Sequence, residues 1–462
     1  MKTFFWLIGL VFCQHAIAQP LAQKLSKAVD QLQSDKQFTH AIISMYVVDG
    51  KTGIPVFERN AQVGLAPASC QKVITSAAAF ELLGKNYQYK TAIKIFKQDG
   101  KTFVGIDASG DPTLGSWRWN TTKMQNVFSS IGNALKKKGV TTLSPVIFIN
   151  QSKFSYQPIP DGWVWQDIGN YYGAGAWAFN WRENQYDLLL NSGKSEGEAT
   201  TIKGFDPAEA VIPLENNITT GSKGSGDNAY IYAAPYATSG FTTGTIPLAQ
   251  NNFSISGSMT DPSKVFIKGL KFYLNENAVS INDEPANDVS PVLKDAASSE
   301  TILTILSPSF DSINLWFLKK SVNLFGEAFV KTIALEKTGL GSTDTGVSLI
   351  KKFWAAKGIE KSSLNITDGS GLSPANRVST AALVAVIQFA KKQSWFPSFY
   401  NALPEMNGIK MKDGYIGGVR SYTGYVKSAT GEEYSFAFIV NNFDGNPSTV
   451  REKIWKVLDL LK

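Results

Sequence analysis

The sequence predicts a mixed α+β fold in which one helix-and-sheet domain starts at the N-terminus, is interrupted, and is completed at the C-terminus. Three observations carry this. Residues 19–86 contain a hairpin and then an Ala-rich helical run. Residues 87–262 change in texture to short β-like runs with Gly, Asn, Ser and Thr turns and many aromatics, as expected of a β-rich inserted region of two subdomains. Residues 263–462 return to helical periodicity, three consecutive strands and a closing amphipathic helix. Hydrophobic residues make up 43% of the 462, enough to fill a core and to exclude a disordered chain.

The elements follow in chain order. Lys2, the apolar run from Phe4 to Cys13 and the small-x-small triplet Ala16-Ile17-Ala18 read as a signal peptide, residues 1–18, cleaved before Gln19. Phe12 stands where a lipoprotein needs a small residue, so lipidation of Cys13 is not expected. No later run reaches the ~18 apolar residues of a membrane span, so the expectation is an exported, periplasmic protein with no transmembrane anchor. Ala41 to Val48 and Ile54 to Phe57 flank the turn Asp49-Gly50-Lys51-Thr52-Gly53. Pro67-Ala68-Ser69 opens a helix that Gly84 stops. Helices are expected at Ser263 to Leu274 and Ser312 to Glu336, strands at Gly408 to Lys412, Val419 to Lys427 and Tyr434 to Asn441, and a last helix at Ser448 to Leu461.

Composition removes several functions. The formal charge is +7, but no run of five Lys/Arg occurs, so a nucleic-acid partner is not expected. Beyond the leader one cysteine, Cys70, and one histidine, His40, remain. No Cys-based metal site and no His-x-x-x-His or His-Glu-x-x-His zinc motif can be formed from that set, so a zinc hydrolase is not expected, and neither a metal nor a cofactor is. His40 sits at the mouth of a strand, where a lone histidine is ordinarily structural. A hydrolase built on this chain therefore needs a base other than histidine.

Lysine is the usual substitute, and Ser-x-x-Lys puts hydroxyl and amine one helical turn apart on one face. The amine must be neutral to take a proton, a state that burial favours. Two copies exist. Ser69-Cys70-Gln71-Lys72 begins a helix after Pro67, where free backbone N–H groups can receive an oxyanion, whereas Ser348-Leu349-Ile350-Lys351 lies inside an ordinary amphipathic run. Ser69 is the candidate nucleophile and Lys72 its base. Ser-x-x-Lys with Ser-x-Asn and Lys-Thr-Gly is a known catalytic signature. Of four Ser-x-Asn copies, Ser321-Val322-Asn323 alone precedes a strong helical run. Literal Lys-Thr-Gly occurs at Lys51 and Lys337, in a hairpin turn and at a helix stop. The strand-borne Lys412-Asp413-Gly414 fits the required place better.

On these residues the chain resembles the D-alanyl-D-alanine carboxypeptidase/endopeptidases of the class C, low-molecular-mass penicillin-binding proteins, over about residues 40 to 445. The strongest pieces are Pro67 to Lys72, Gly110-Asp111-Pro112-Thr113-Leu114, Trp163 to Gly173, Lys320 to Leu324, Asp368 to Ser373 with Asn376-Arg377-Val378, and Lys412 to Val419 followed by Thr423 to Val426. The resemblance implies a β-lactamase-like transpeptidase domain, helices on an antiparallel sheet, split by the insertion. It implies attack by Ser69 on D-Ala-D-Ala or on the D-alanyl–diamino acid cross-link of peptidoglycan stem peptides, giving an acyl-enzyme. Lys72 would be the base, Ser321 a proton relay, Asn323 a holder of the substrate's peptide group, Lys412 and Gly414 parts of the binding strand, and the N–H groups of Ser69 and Tyr415 the oxyanion hole. β-Lactams would acylate Ser69, and Asp167 would meet a substrate side-chain amine.

Two departures bear on activity. Val322 stands where the family usually has Asp, and Asp413 where it has Thr. A carboxylate at 413 should repel the substrate's terminal carboxylate by about 1–3 kcal/mol, against the attraction of Lys412. The other readings are a catalytically weakened homologue that binds peptidoglycan or cell-wall partners, and a rapidly deacylating β-lactamase-like enzyme, against which the long insertion argues.

Overall fold

The computed structural model describes residues 20–98, 100–144, 146–277, 279–281 and 299–462. The leader expected at 1–18 lies outside the described residues. Two compact units result, one from residues up to Lys85 with Asn314–Val322 and Val347–Lys462, the other from Asn86–Ile313 with Asn323–Gly346.

The first unit is built on a six-stranded antiparallel sheet. Its order is Glu405–Met406, Ile409–Ile416, Val419–Lys427, Glu433–Asn441, Ile42–Asp49, Pro55–Arg59. Period-two alternation sends Phe436, Phe438 and Val440 to one face, with Ile43, Met45 and Val47 of the adjoining strand. There they meet Leu25 and Val29 of the helix over 20–34 and Val450, Ile454, Val457 and Leu458 of the helix Pro447–Leu458. Each such side chain, fully buried, contributes roughly 1.5–3 kcal/mol. The opposite face carries the helix Thr380–Lys391, pinned where Thr380 meets Ser44 Oγ at 2.8 Å and where Tyr425 donates to the Ile387 carbonyl at 2.7 Å. The N-terminal and C-terminal strands thus pair directly, as the split domain requires.

The expected hairpin forms, its turn closed by Asp49, which accepts from the Lys51 and Thr52 backbone. The run expected to be helical over 312–336 forms two helices, Phe310–Lys319 and Asn323–Thr338. They part at Ser321, whose φ of +57° is left-handed and costs a non-glycine residue about 1–2 kcal/mol.

The second unit contains a four-stranded sheet, Glu300–Leu306, Lys90–Gln98, Lys101–Asp107, Ile147–Asn150, and two three-stranded sheets. It also contains the helix Met124–Lys137, which the β-like texture of the region hid. Val127, Phe128, Ile131 and Leu135 of that helix recur at helical spacing and pack with Phe266 and Leu270 of the helix Pro262–Glu276. The sequence boundary at 262/263 therefore falls inside this unit: Glu300–Leu306 pairs with Lys90–Gln98, a long-range partner that no local pattern reveals. Among the described residues no helix is long and apolar enough to cross a membrane.

Candidate active site

In the first unit Ser69 lies on a short 3-10 turn, Ala68–Gln71, which passes into the α-helix Lys72–Leu82 at Lys72. The sequence implied an α-helical turn. The tighter winding eclipses positions i and i+3, so the two side chains stack directly. Lys72 Nζ lies 2.8 Å from Ser69 Oγ and donates to the Ser370 carbonyl at 2.8 Å. Lys72 is fully buried, with its amine over the Phe317 ring at 5.9 Å, while Ser69 is partly exposed. A reachable hydroxyl thus faces an amine shielded from water. Ala68, just before Ser69, has φ of +45°, strain of the kind that concentrates at functional sites.

The loop Asp368–Ser373 braces this turn, a function that the sequence did not assign to it. Gln71 Nε2 donates to the Asp368 carbonyl and Oδ1, and Thr75 Oγ1 to the Gly369 carbonyl. Asp368 in turn accepts from the Gly371 and Ser373 backbone and from Asn376 Nδ2. Gly371 (φ +83°) lies so close to the Ala68 carbonyl that a Cβ would strike it. The available signal was an Asp among small residues with a fixed Asn eight positions on.

The strand Ile409–Ile416 passes on the other side. A Cβ at Gly414 would lie 2.8 Å from both Ser69 N and the Pro67 carbonyl oxygen, so the glycine lets the strand approach Ser69. Ser421 Oγ donates to that same Pro67 carbonyl at 2.5 Å, and Cys70 Sγ meets the Lys412 carbonyl at 3.1 Å. Cys70 is fully buried, and burial pushes its thiol up to about 12, which makes it inert packing. The structure therefore brings Ser69, Lys72, Lys412, Asp413, Gly414 and Tyr415 together.

Lys412, itself buried, donates to Asp413 Oδ1 at 2.8 Å and to the Asp413 carbonyl at 2.7 Å. Burial alone would raise the Asp413 carboxyl, but the charge and hydrogen bond of Lys412, with Arg420 nearby, hold it below the usual carboxylate range. The Asp413 carboxyl is therefore ionised at neutral pH. Tyr415 is exposed, with Arg420 over its ring at 4.3 Å. Ser321 follows the helix Phe310–Lys319, which reaches the helix Lys72–Leu82 through Phe317 and through Asn314, whose Oδ1 accepts from Ser76 Oγ at 2.7 Å. His40 is exposed and takes no part in this cluster. Ser348 lies within the helix Thr343–Ala356.

Asn323 and Asp167 belong to the second unit. Asn323 starts its helix and donates from Nδ2 to the Tyr172 carbonyl at 2.7 Å. Two turns later Lys331 donates to the Gln157 and Ala176 carbonyls, both at 2.7 Å. One helix thus ties down both flanks and the C-terminal end of the aromatic block Trp163 to Gly173, and Lys331 is the part of this device that sequence reasoning missed. Burial pulls the Lys331 amine down to about 8, opposed by Glu327. Asp167, in the short helix Trp165–Ile168, is half-buried, and burial pushes it up to about 6 despite a hydrogen bond from Tyr172. Among the described residues no cluster of His, Cys, Asp and Glu could hold a metal ion.

Comparison with known proteins places this geometry. The profile of the D-Ala-D-Ala carboxypeptidase 3 (S13) family matches residues 25–460. A D-alanyl-D-alanine carboxypeptidase of Actinomadura sp. (strain R39) is 25% identical over 459 residues, covering 92% of this chain and 82% of that protein. The carboxypeptidase DacB of Haemophilus influenzae is 22% identical, covering 84% and 83%. The crystal structure of penicillin-binding protein 4 (dacB) from Haemophilus influenzae superposes with a TM-score of 0.75 at 18% identity, covering 95% of this chain and 97% of that one. The Haemophilus protein has also been solved complexed with a β-lactam. The fold is thus the penicillin-binding-protein fold that the motifs implied.

Proposed function

The chain belongs to the D-Ala-D-Ala carboxypeptidase 3 (S13) family, and from that premise we propose that it is a serine DD-peptidase of peptidoglycan stem peptides, working as carboxypeptidase, cross-link endopeptidase or both. The observation that carries the reading is the 2.8 Å approach of Lys72 Nζ to Ser69 Oγ beside a glycine-bearing strand. Ser69 Oγ attacks the carbonyl carbon of the penultimate D-alanine and passes its proton to Lys72. The N–H groups of Ser69 and Tyr415 receive the oxyanion. The C–N bond breaks, Ser321 relays the proton to the leaving nitrogen, and water releases the acyl group from Ser69. Asn323 orients the substrate's peptide group, Lys412 attracts its terminal carboxylate, and a β-lactam acylates Ser69 in the same manner. In this reading the catalytic domain is built from residues 19–86 and the part of 263–462 that shares their unit, Asn314–Val322 with Val347–Lys462, and residues 1–18 deliver it to the periplasm.

Asp167 takes the side-chain amine of the diamino acid. Its carboxyl, raised to about 6, holds an amine when ionised above that pH and loses its charge below it. Mass spectrometry reads both statements. Penicillin should add its mass to the peptide containing Ser69, and digests of stem peptide should favour the free amine over its acetylated form above about pH 6. An adduct on Ser348 or Ser370 overturns the nucleophile, and indifference to acetylation overturns the Asp167 assignment.

The Lys412–Asp413 ion pair leaves less positive potential for an incoming carboxylate. It favours a second reading, a weakened homologue that binds peptidoglycan and gives no adduct. In the enzyme reading acylation is slow, and Asp413→Thr accelerates it about tenfold by removing roughly 1.4 kcal/mol of repulsion. The measurement is the second-order rate of penicillin acylation, and an unchanged or lower rate removes the repulsion argument.

A further inference from the structure

The second unit holds a cavity of about 470 Å³ whose walls include Trp117, Lys123, Met124, Arg182, Tyr186 and Asp187. None of these residues enters the reaction above. Tyr186 is 2% exposed, and its hydroxyl has no hydrogen-bond partner among the described residues. Arg182 Nε is likewise buried and has no partner among the described residues, while Nη2 of the same guanidinium lies 3.6 Å from Asp206 Oδ1. Buried donors left unmet in a native structure need a reason, and an absent ligand is one.

The backbone supplies an independent observation. Arg182, Glu183 and Asn184 have φ of +51°, +54° and +55°, three successive left-handed residues, where chirality normally tolerates one. The surroundings impose this conformation. Buried Glu183 accepts from Ser116 Oγ at 2.6 Å and from Arg118 Nε and Nη2 at 2.7 and 3.0 Å. Asn184 Nδ2 donates to the Gly175 carbonyl and Asn180 Oδ1, while its Oδ1 accepts from Trp181 N. Gly115 clears the way, since a Cβ there would lie 2.8 Å from the Trp181 ring. Strain held by that many bonds places Arg182 and Tyr186 at one wall.

We propose that this cavity is a second binding site that takes the carboxylate of a short peptide or free amino acid. Arg182 Nε–H and the Tyr186 hydroxyl, unpartnered groups of two residues that line the cavity, are donors suited to a carboxylate, and Lys123 adds positive charge. Trp117 and Met124 offer an apolar wall for a few carbons. Asp187, which accepts from Ser256 Oγ at 2.6 Å, also lines the cavity and suits the ammonium group of the same ligand. The choice of a wall peptide or released D-alanine as ligand rests on the DD-peptidase reading, whereas the site itself does not.

The test uses the full chain with Ser69→Ala, so that neither acylation nor turnover is needed. An N-acetylated stem tetrapeptide and D-alanine are titrated separately by calorimetry. Saturable binding of either probe that Arg182→Gln weakens supports the site, and which probe behaves so identifies the source. Arg182→Gln should weaken that binding at least tenfold and Tyr186→Phe three- to tenfold. Tyr186→Phe should not lower Tm, because its hydroxyl has no bond to lose. In the otherwise native chain both variants should acylate with penicillin within twofold of the parent rate. Failure of that acylation in the parent indicts the enzyme reading alone. No saturation with either probe, or equal affinity in parent and both variants, overturns the second site.

Discussion

Lys72→Met should slow penicillin acylation of Ser69 by about 10²–10⁴-fold, the contribution of a positioned general base. Methionine keeps the unbranched body over Phe317 and removes only the amine. The native amine lies 2.8 Å from the Ser69 hydroxyl, and exposed His40 cannot replace it. The substitution also leaves the Ser370 carbonyl without its donor, at about 1–3 kcal/mol. A modest fall in Tm should therefore accompany a large loss of rate. Stopped-flow acylation beside a melting curve separates the two, and a rate within tenfold of the parent would mean that another group takes the proton.

Gly414→Ala is the second large effect. Exchanging glycine for alanine at a compatible strand position stabilises by about 0.4–1 kcal/mol. Here the new Cβ would stand 2.8 Å from Ser69 N and from the Pro67 carbonyl, and would also strike Ser421 Oγ. Ser421 cannot swing away freely, because it is bonded to Pro67 at 2.5 Å. The strand must part from the nucleophile, and overpacking of this kind costs roughly 1–3 kcal/mol, so the destabilising effect wins. A displacement approaching 1 Å costs about 10²-fold in rate. Acylation kinetics and denaturant unfolding check both numbers. Unchanged rate and stability would show that the strand lies farther from Ser69 than the structure places it.

Legibility followed the range of the interactions. The Ser69–Lys72 pair was readable because three residues of helix bring two side chains together whatever the rest of the chain does. The hairpin at Asp49–Gly53 and the helix stop at Gly339 are local in the same sense. The helix Met124–Lys137 was hidden because Ser, Asn and Gly dilute its apolar stripe. Placement of Glu300–Leu306 could not be read at all, since its partner lies about two hundred residues earlier.

The sequence by itself pointed to the family and to a chemistry: the ordered motifs match it, and with few histidines and cysteines in the chain the Ser69-x-x-Lys72 pair stands out as the candidate nucleophile and base. Only the tertiary structure decided how that pair is held. The bracing of the Ser69 turn by Asp368, the near contact of Gly414 with Ser69, the left-handed φ of Ser321 and the anchoring of Tyr172 by Asn323 each depend on segments far apart in the chain. Side-chain spacing is written into helix geometry, whereas close approach of distant backbones is set by packing, and packing exists only once the whole core has formed.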